Sequence, residues 1–276
     1  MNQEQVDVTL NTGARMPRLG LGVWKISGDA ETERVAREAI ELGYRSIDTA
    51  SLYGNERGVG AAVRGCGVPR ERLFVTTKVW NDDIRAGRIE AAFDRSLKLL
   101  GLEYVDLYLL HWPIAGRLAV SWKAMEQLLK GGRAKAIGVS NYLVPHLEEV
   151  LAAGGAVPAV NQIELHPFLQ GSKVLQENER HGIRTEAWSP LAQGGSLLQD
   201  PVLGVLARAH GKTVAQVVLR WDIQRGVVAI PKTTKRARLS ENLAIFDFAL
   251  TDAEMAAIAA LDRNGRIGAD PMNVGF

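Results

Sequence analysis

An aspartate, a tyrosine, a lysine and a histidine each follow a short β-branched or apolar run in this sequence. Asp48 closes Arg45-Ser46-Ile47-Asp48, and Tyr53 comes five residues later. Lys78 closes Thr76-Thr77-Lys78, and His111 follows Leu109-Leu110. These four types can together deliver a proton to an oxygen that is gaining negative charge. A free phenol has a pKa of about 10, so near neutral pH it is protonated but a weak acid. An adjacent ammonium favours the phenolate and lowers that value. A carboxylate can hold the ammonium in place, and an imidazole can donate a hydrogen bond to the same oxygen. Singly, each residue has a plainer role: Asp48 as a helix cap, Lys78 on the surface, His111 and Tyr53 in packing. Their arrival at consecutive strand ends is harder to explain that way.

Other polar groups stand at equivalent places: Ser140-Asn141, Asn161-Gln162 with Glu164, Trp188-Ser189-Pro190, and Pro231-Lys232-Thr233-Thr234-Lys235. Trp24, Trp80 and Trp112 also end or follow such runs. What positions all of them is an alternation of short strands and longer helices. Val6–Leu10 and Arg15–Leu19 flank Asn11-Thr12-Gly13 and read as a hairpin. Strands are then expected at Leu19–Gly22, Arg45–Asp48, Leu73–Val79, Tyr104–Leu110, Ala134–Val139, Ala159–Glu164, Ile183–Ala187 and Gly226–Ile230. Helices are expected at Ala30–Leu42, Gly54–Arg64, Gly87–Leu100, Val120–Lys130, Val144–Ala152, Lys173–His181, Val214–Gln224 and Arg238–Ala244. A looser segment precedes Val214, and Thr251 with Glu254 forms a capping box for a last helix to Leu261.

Such alternation predicts a parallel sheet, because a parallel crossover needs a helix-sized connection. The expected fold is therefore an α/β (β/α)8 barrel with an N-terminal β-hairpin and an extra C-terminal helix. In such barrels the active site lies at the C-terminal strand ends. The 276 residues are close to the roughly 250 of a single barrel, so residues 1–276 are expected to form one domain. A net charge of only +2 argues against a nucleic-acid partner. The single cysteine, Cys66, fits a reducing cytoplasm, and no apolar run suggests a leader or membrane span.

The sequence resembles the aldo-keto reductase family over nearly its whole length. The resemblance is carried by Gly43-Tyr44-Arg45-Ser46-Ile47-Asp48-Thr49-Ala50 leading to Tyr53-Gly54-Asn55-Glu56, by Thr77-Lys78, Leu110-His111-Trp112-Pro113 and Gly138-Val139-Ser140-Asn141, and by Asn161-Gln162-Ile163-Glu164-Leu165-His166-Pro167 and Ile230-Pro231-Lys232. It is similar above all to the bacterial diketogluconate-reductase-like branch. The resemblance implies a catalytic tetrad of Asp48, Tyr53, Lys78 and His111, with Tyr53 as proton donor, and NADPH/NADP+ as cofactor. No G-x-G-x-x-G opens a helix after a strand; Gly58-Val59-Gly60 comes nearest, with Val63 in place of the third glycine. The family binds its nicotinamide cofactor without that motif. By resemblance, Ser140, Asn141 and Gln162 hold the carboxamide, Trp188 stacks on the nicotinamide, and Lys232, Thr233 and Arg238 clamp the 2′-phosphate. Glu241 and Asn242 fall near the adenine, and Gly22, Val23, Trp24, Asp48, Ser189 and Leu191 complete the cofactor contacts. Trp24, Tyr53, Trp80, His111 and Trp112 form the substrate cup.

The implied activity is NADPH-dependent reduction of aldehydes and ketones, of the alcohol dehydrogenase (NADP+) type acting on CH–OH groups. The short segment after Trp112 and the short tail after Arg266 suggest an open pocket for small or polar carbonyls, such as methylglyoxal or diketogluconate-like sugars. A monomer in the cytoplasm, with no bound metal, is expected. Two rival readings remain: an NADPH-binding sensor barrel with little turnover, and a metal-dependent barrel hydrolase using Asp48, His111, Glu164 and His166.

Overall fold

The computed structural model describes residues 6–274; the outermost residues of the expected 1–276 domain lie outside them. The hairpin forms from β1 (Asp7–Thr9) and β2 (Arg15–Pro17), with Val8 opposite Met16. Eight strands then form one parallel sheet in sequence order: β3 (Leu21–Gly22), β4 (Ser46–Asp48), β5 (Phe74–Val79), β6 (Val105–Leu110), β7 (Ala134–Ser140), β8 (Val160–Glu164), β9 (Arg184–Trp188) and β10 (Val228–Ala229). The last strand meets the first. The Gly20 N–H donates to the Ala229 carbonyl at 2.9 Å, the Ala229 N–H to Arg18 at 2.9 Å, and the Gly22 N–H to Pro231 at 3.3 Å. These bonds join the two edges of the eight-stranded sheet and close the barrel.

Sequence alternation decides which side chains fill the barrel. Phe74, Leu107, Leu109, Ala136, Val160 and Val228 pack together inside it, and Val8, Leu10 and Met16 of the hairpin join the same cluster. The hairpin thus plugs the interior with apolar side chains. The polar strand-end residues are left to collect at the other rim.

The outer layer consists of α1 (Asp29–Leu42), α2 (Glu56–Gly65), α3 (Asn81–Arg85), α4 (Ile89–Leu100), α5 (Leu118–Lys130), α6 (Val144–Ala152), α7 (Ser172–Arg180), α8 (Pro201–His210), α9 (Val214–Gln224), α10 (Arg236–Leu243) and α11 (Asp252–Ala259). Their buried stripes, such as Val35, Ala36, Ala39 and Ile40 on α1, cover the outward side chains of the strands. Gly60 lets α2 touch the C-terminal end of α4, because a Cβ there would overlap the Leu100 backbone.

Two parts differ from the sequence-based expectation. The helix expected at Gly87–Leu100 forms as α4 from Ile89, and a short helix that was not expected, α3, precedes it; the two are separated at Gly87, whose φ of +67° is left-handed. The looser segment contains α8, whose N-cap Asp200 accepts from the Val202 and Leu203 N–H groups and whose first residue is Pro201. An Asp-Pro helix start was legible there. The capping box of Thr251 and Glu254 opens α11 as expected. Among the described residues, no helix is long and apolar enough to cross a membrane.

Candidate active site

The C-terminal strand ends surround a cleft of about 1080 Å³. Its floor is formed by Asp48 at the end of β4, with Lys78 of β5 directly behind it. The Lys78 ammonium, fully buried, donates to Asp48 Oδ1 at 2.6 Å and to the Thr49 carbonyl at 2.9 Å. It also lies 3.4 Å from the Tyr53 hydroxyl, which the short 3-10 turn Ser51–Tyr53 carries back over the barrel. His111 completes the group: its ring stands edge-on to Tyr53 at 5.8 Å and to Trp80 at 5.1 Å.

Burial sets the charge states. Burial favours a neutral amine at Lys78, but Asp48 and Tyr53 outweigh it and hold the ammonium above its ordinary pKa. At Asp48 burial pushes the carboxyl above its usual range, against the pull of Lys78 and Gln162. The phenol expected to be more acidic than a free one is not. Burial raises the Tyr53 pKa, and the lowering by Lys78 only partly offsets it. The ammonium acts in the expected direction; the sequence could not show how dry the phenol is. Burial, with help from Lys78, drops His111 well below 6.5, so its ring is neutral near pH 7. Its Nδ1 is buried and has no partner among the described residues.

The rest of the rim continues from this floor. Gln162 Nε2 donates to Asp48 Oδ2 at 2.9 Å. Asn141 takes a left-handed backbone, φ +65°, and donates to the His111 carbonyl at 2.9 Å and to Ser140 Oγ at 3.1 Å. Its Oδ1 accepts from the Trp188 indole at 2.8 Å, which fixes that ring at the end of β9. Ser189, Ala192 and Gln193 also have positive φ, so the loop after β9 is tightly folded by non-glycine residues. At the far end, Lys232 and Arg238 are exposed and line the cleft with buried Thr233. Neither cation forms an ion pair among the described residues, whereas neighbouring Arg236 is bound to Glu41 at 3.0 Å.

The cleft brings together nearly all the expected site residues: Gly22, Trp24, Asp48, Tyr53, Trp80, His111, Trp112, Ser140, Asn141, Gln162, Trp188, Ser189, Leu191, Lys232, Thr233, Arg238, Glu241 and Asn242. Two of them do not reach its surface. Lys78 is sealed behind Asp48 and Tyr53, and the Val23 side chain packs into the core.

Sequence reasoning missed the C-terminal strap. Ile267, Gly268 and Ala269 line the cleft. Buried Glu164 holds them, accepting from the Ile267 N–H at 2.7 Å and the Gly268 N–H at 2.8 Å, with His166 Nε2 3.1 Å away. A Cβ at Gly268 would overlap the Trp188 ring edge, so glycine is what lets the strap pass. Burial disfavours the Glu164 charge, yet the bonds from His166 and the two N–H groups outweigh it and hold its pKa below the usual value. The tail is short, as read from the sequence, but it walls the pocket. Glu164 is committed here and Asp48 to Lys78. Among the described residues no group of three or more His, Cys, Asp or Glu is placed to hold a metal ion.

Residues 18–263 match the Aldo/keto reductase family. This chain belongs to that family. It is 50% identical to a 9,11-endoperoxide prostaglandin H2 reductase of Trypanosoma cruzi, covering 99% of this chain and 97% of that protein. It is 48% identical to a glyoxal reductase of Bacillus subtilis, covering 96% and 95%. Among solved structures, a variant of Gox0644 in complex with NADPH superposes with a TM-score of 0.92 at 45% identity, covering 98% of each chain. The chain is thus an aldo-keto reductase by sequence and by fold.

Proposed function

We propose that this aldo-keto reductase uses NADPH to reduce small or polar aldehydes and ketones to alcohols, with Tyr53 as proton donor. One observation carries the reading. The Tyr53 hydroxyl lies 3.4 Å from a buried ammonium on the floor of a cleft whose far end presents two unneutralised cations.

The donor set suits the cofactor. Lys232 and Arg238, with the Thr233 hydroxyl between them, would hold the phosphate that distinguishes NADPH from NADH. Trp188, fixed by Asn141, would stack on the nicotinamide, and Ser140, Asn141 and Gln162 would meet its carboxamide. Bound NADPH supplies the hydride. The chain's own residues manage the oxygen. As hydride reaches the carbonyl carbon, the oxygen becomes a stronger base than a phenolate. Tyr53 can therefore give up its proton although its pKa is raised. Lys78 stabilises the phenolate left behind, and Asp48 keeps Lys78 in register. Neutral His111 has one ring N–H with which to orient the carbonyl oxygen. Trp24, Trp80 and Trp112 give the mouth its apolar walls.

The names of relatives, a glyoxal reductase among them, support small carbonyl compounds. Placement in the diketogluconate-reductase-like branch, and action as a cytoplasmic monomer of one domain, belong to the same reading. The decisive measurement is NADPH oxidation by the purified protein with glyoxal, methylglyoxal, diketogluconate, aromatic aldehydes and simple ketones, repeated with NADH. Turnover with NADPH and at least one small dicarbonyl is expected. NADPH binding without turnover on any of them would replace this reading with a sensor.

A further inference from the structure

Beneath the tetrad lies a second carboxyl that the mechanism above leaves unused. Glu186, on β9, is fully buried and does not line the cleft. Its Oε2 accepts from Gln162 Nε2 at 2.7 Å. The same Nε2 donates to Asp48 Oδ2 at 2.9 Å. A primary amide nitrogen has two hydrogens, so both are spent on these carboxyls. The amide is thereby locked, and Oε1 is the end of Gln162 left free to meet a ligand. The other Glu186 oxygen, Oε1, has no partner among the described residues.

We propose that Glu186 is a positioning residue of this site: with Asp48 it fixes the Gln162 amide so that an acceptor is presented to the cleft, and its ionisation governs how readily Tyr53 releases a proton. The inference rests on the proposed NADPH-dependent reduction. Glu186 reaches Tyr53 only through the field at the barrel floor. The charged or titratable groups that face it are Asp48 from β4, Lys78 from β5 and Tyr53 from the turn after β4. Its neighbour β8 adds Gln162, and β10 adds only Val228 and Ala229. Burial first, and the Asp48 charge second, push the Glu186 carboxyl up to about 8. Near pH 7 it is then neutral, and the floor holds one carboxylate and one ammonium. When Glu186 ionises, a second negative charge further stabilises the Lys78 ammonium and raises the Tyr53 pKa again. Proton donation weakens.

Two variants test this on the whole purified enzyme. Glu186→Gln keeps the size and an acceptor for Gln162 but cannot ionise. Glu186→Leu removes the acceptor. In the wild type, kcat for methylglyoxal reduction should fall roughly 3- to 10-fold from pH 7 to 9.5, with a midpoint near 8. Normalised to its own rate at pH 7, Glu186→Gln should lack that step. Glu186→Leu should weaken NADPH binding, read from tryptophan quenching, by roughly 3- to 10-fold, as for one lost hydrogen bond. A third readout needs neither cofactor nor turnover. Between the ordinary Glu pKa and about 8 the native state binds the extra proton, so stability is lost as pH rises through that window. The Tm of the wild type relative to Glu186→Gln should therefore fall from pH 5 to 8.5. If Glu186→Gln keeps the wild-type step in kcat and in Tm, the proposal is wrong. Unchanged NADPH affinity in a folded Glu186→Leu would remove its positioning half. Failure of the wild type to reduce any carbonyl would instead overturn the functional reading, and the Tm comparison would still judge Glu186.

Discussion

The two ends of the cleft hold their charges in opposite ways. At the floor, Lys78 is fully buried and Asp48 nearly so, and each contact is fixed within 2.6–3.4 Å. At the rim, Lys232 and Arg238 stand in solvent without ion-pair partners among the described residues. A charge at the floor is costly unless its partners are in place, so the groups there act as a unit. A charge at the rim costs little to keep and is screened by salt, so it acts nearly alone. On the proposed function, the floor would act on the reaction and the rim would choose the ligand.

Four measurements can break or sharpen that contrast. Tyr53→Phe should have the largest effect, abolishing carbonyl reduction while leaving NADPH binding nearly intact, because the ring is retained. Substantial residual turnover would remove Tyr53 from the role of donor. Lys78→Met keeps the stem but strips the charge that offsets the burial of Tyr53. Its kcat should fall by at least roughly 100-fold, as for loss of general-acid catalysis. The loss should be insensitive to salt, since the contact is dry. A near-normal kcat with an unchanged pH profile would mean that the floor is not a unit.

At the rim, Arg238→Ala should raise KM for NADPH by roughly one to two powers of ten and leave KM for NADH almost unchanged. Here the penalty should shrink at high salt. Equal weakening of both cofactors would place the phosphate elsewhere. The smallest effect is expected two residues away on the same helix. Arg236→Ala removes an exposed pair with Glu41, worth about 0.2–1 kcal/mol of stability, and should leave both KM values alone. A large NADPH effect there would show that the rim acts as a diffuse basic field and not through a placed contact.

Much of this is legible in the amino-acid sequence. The alternation of runs specified eight parallel strands, and the strand ends specified which polar residues would meet. Asp48, Tyr53, Lys78 and His111 are brought together as their positions implied, because a barrel puts every strand terminus on one rim. Helix α8 has a local signal in the sequence, the Asp200-Pro201 start, in a segment that otherwise reads as loose. The strap at Ile267–Ala269 is a different case. No local pattern says that a tail with no regular element will be tied down, because its anchors come from Glu164, about a hundred residues earlier.

The sequence by itself determined what was local and periodic: the strands, the helices between them, the Thr251–Glu254 capping box, and the chemical types at each strand end. Only the tertiary structure decided how dry each group is and which distant group answers it. Tyr53 is less acidic than its lysine neighbour alone would make it, because burial outweighs that charge. Glu186 reads as an unremarkable glutamate in Arg184-Thr185-Glu186-Ala187-Trp188, and becomes part of the floor only when β9 lies beside β8 and across from β4. The reason is physical. Periodicity comes from backbone geometry, which neighbours in sequence fix, whereas desolvation and electrostatic coupling depend on everything within a few ångströms, wherever it lies in the chain.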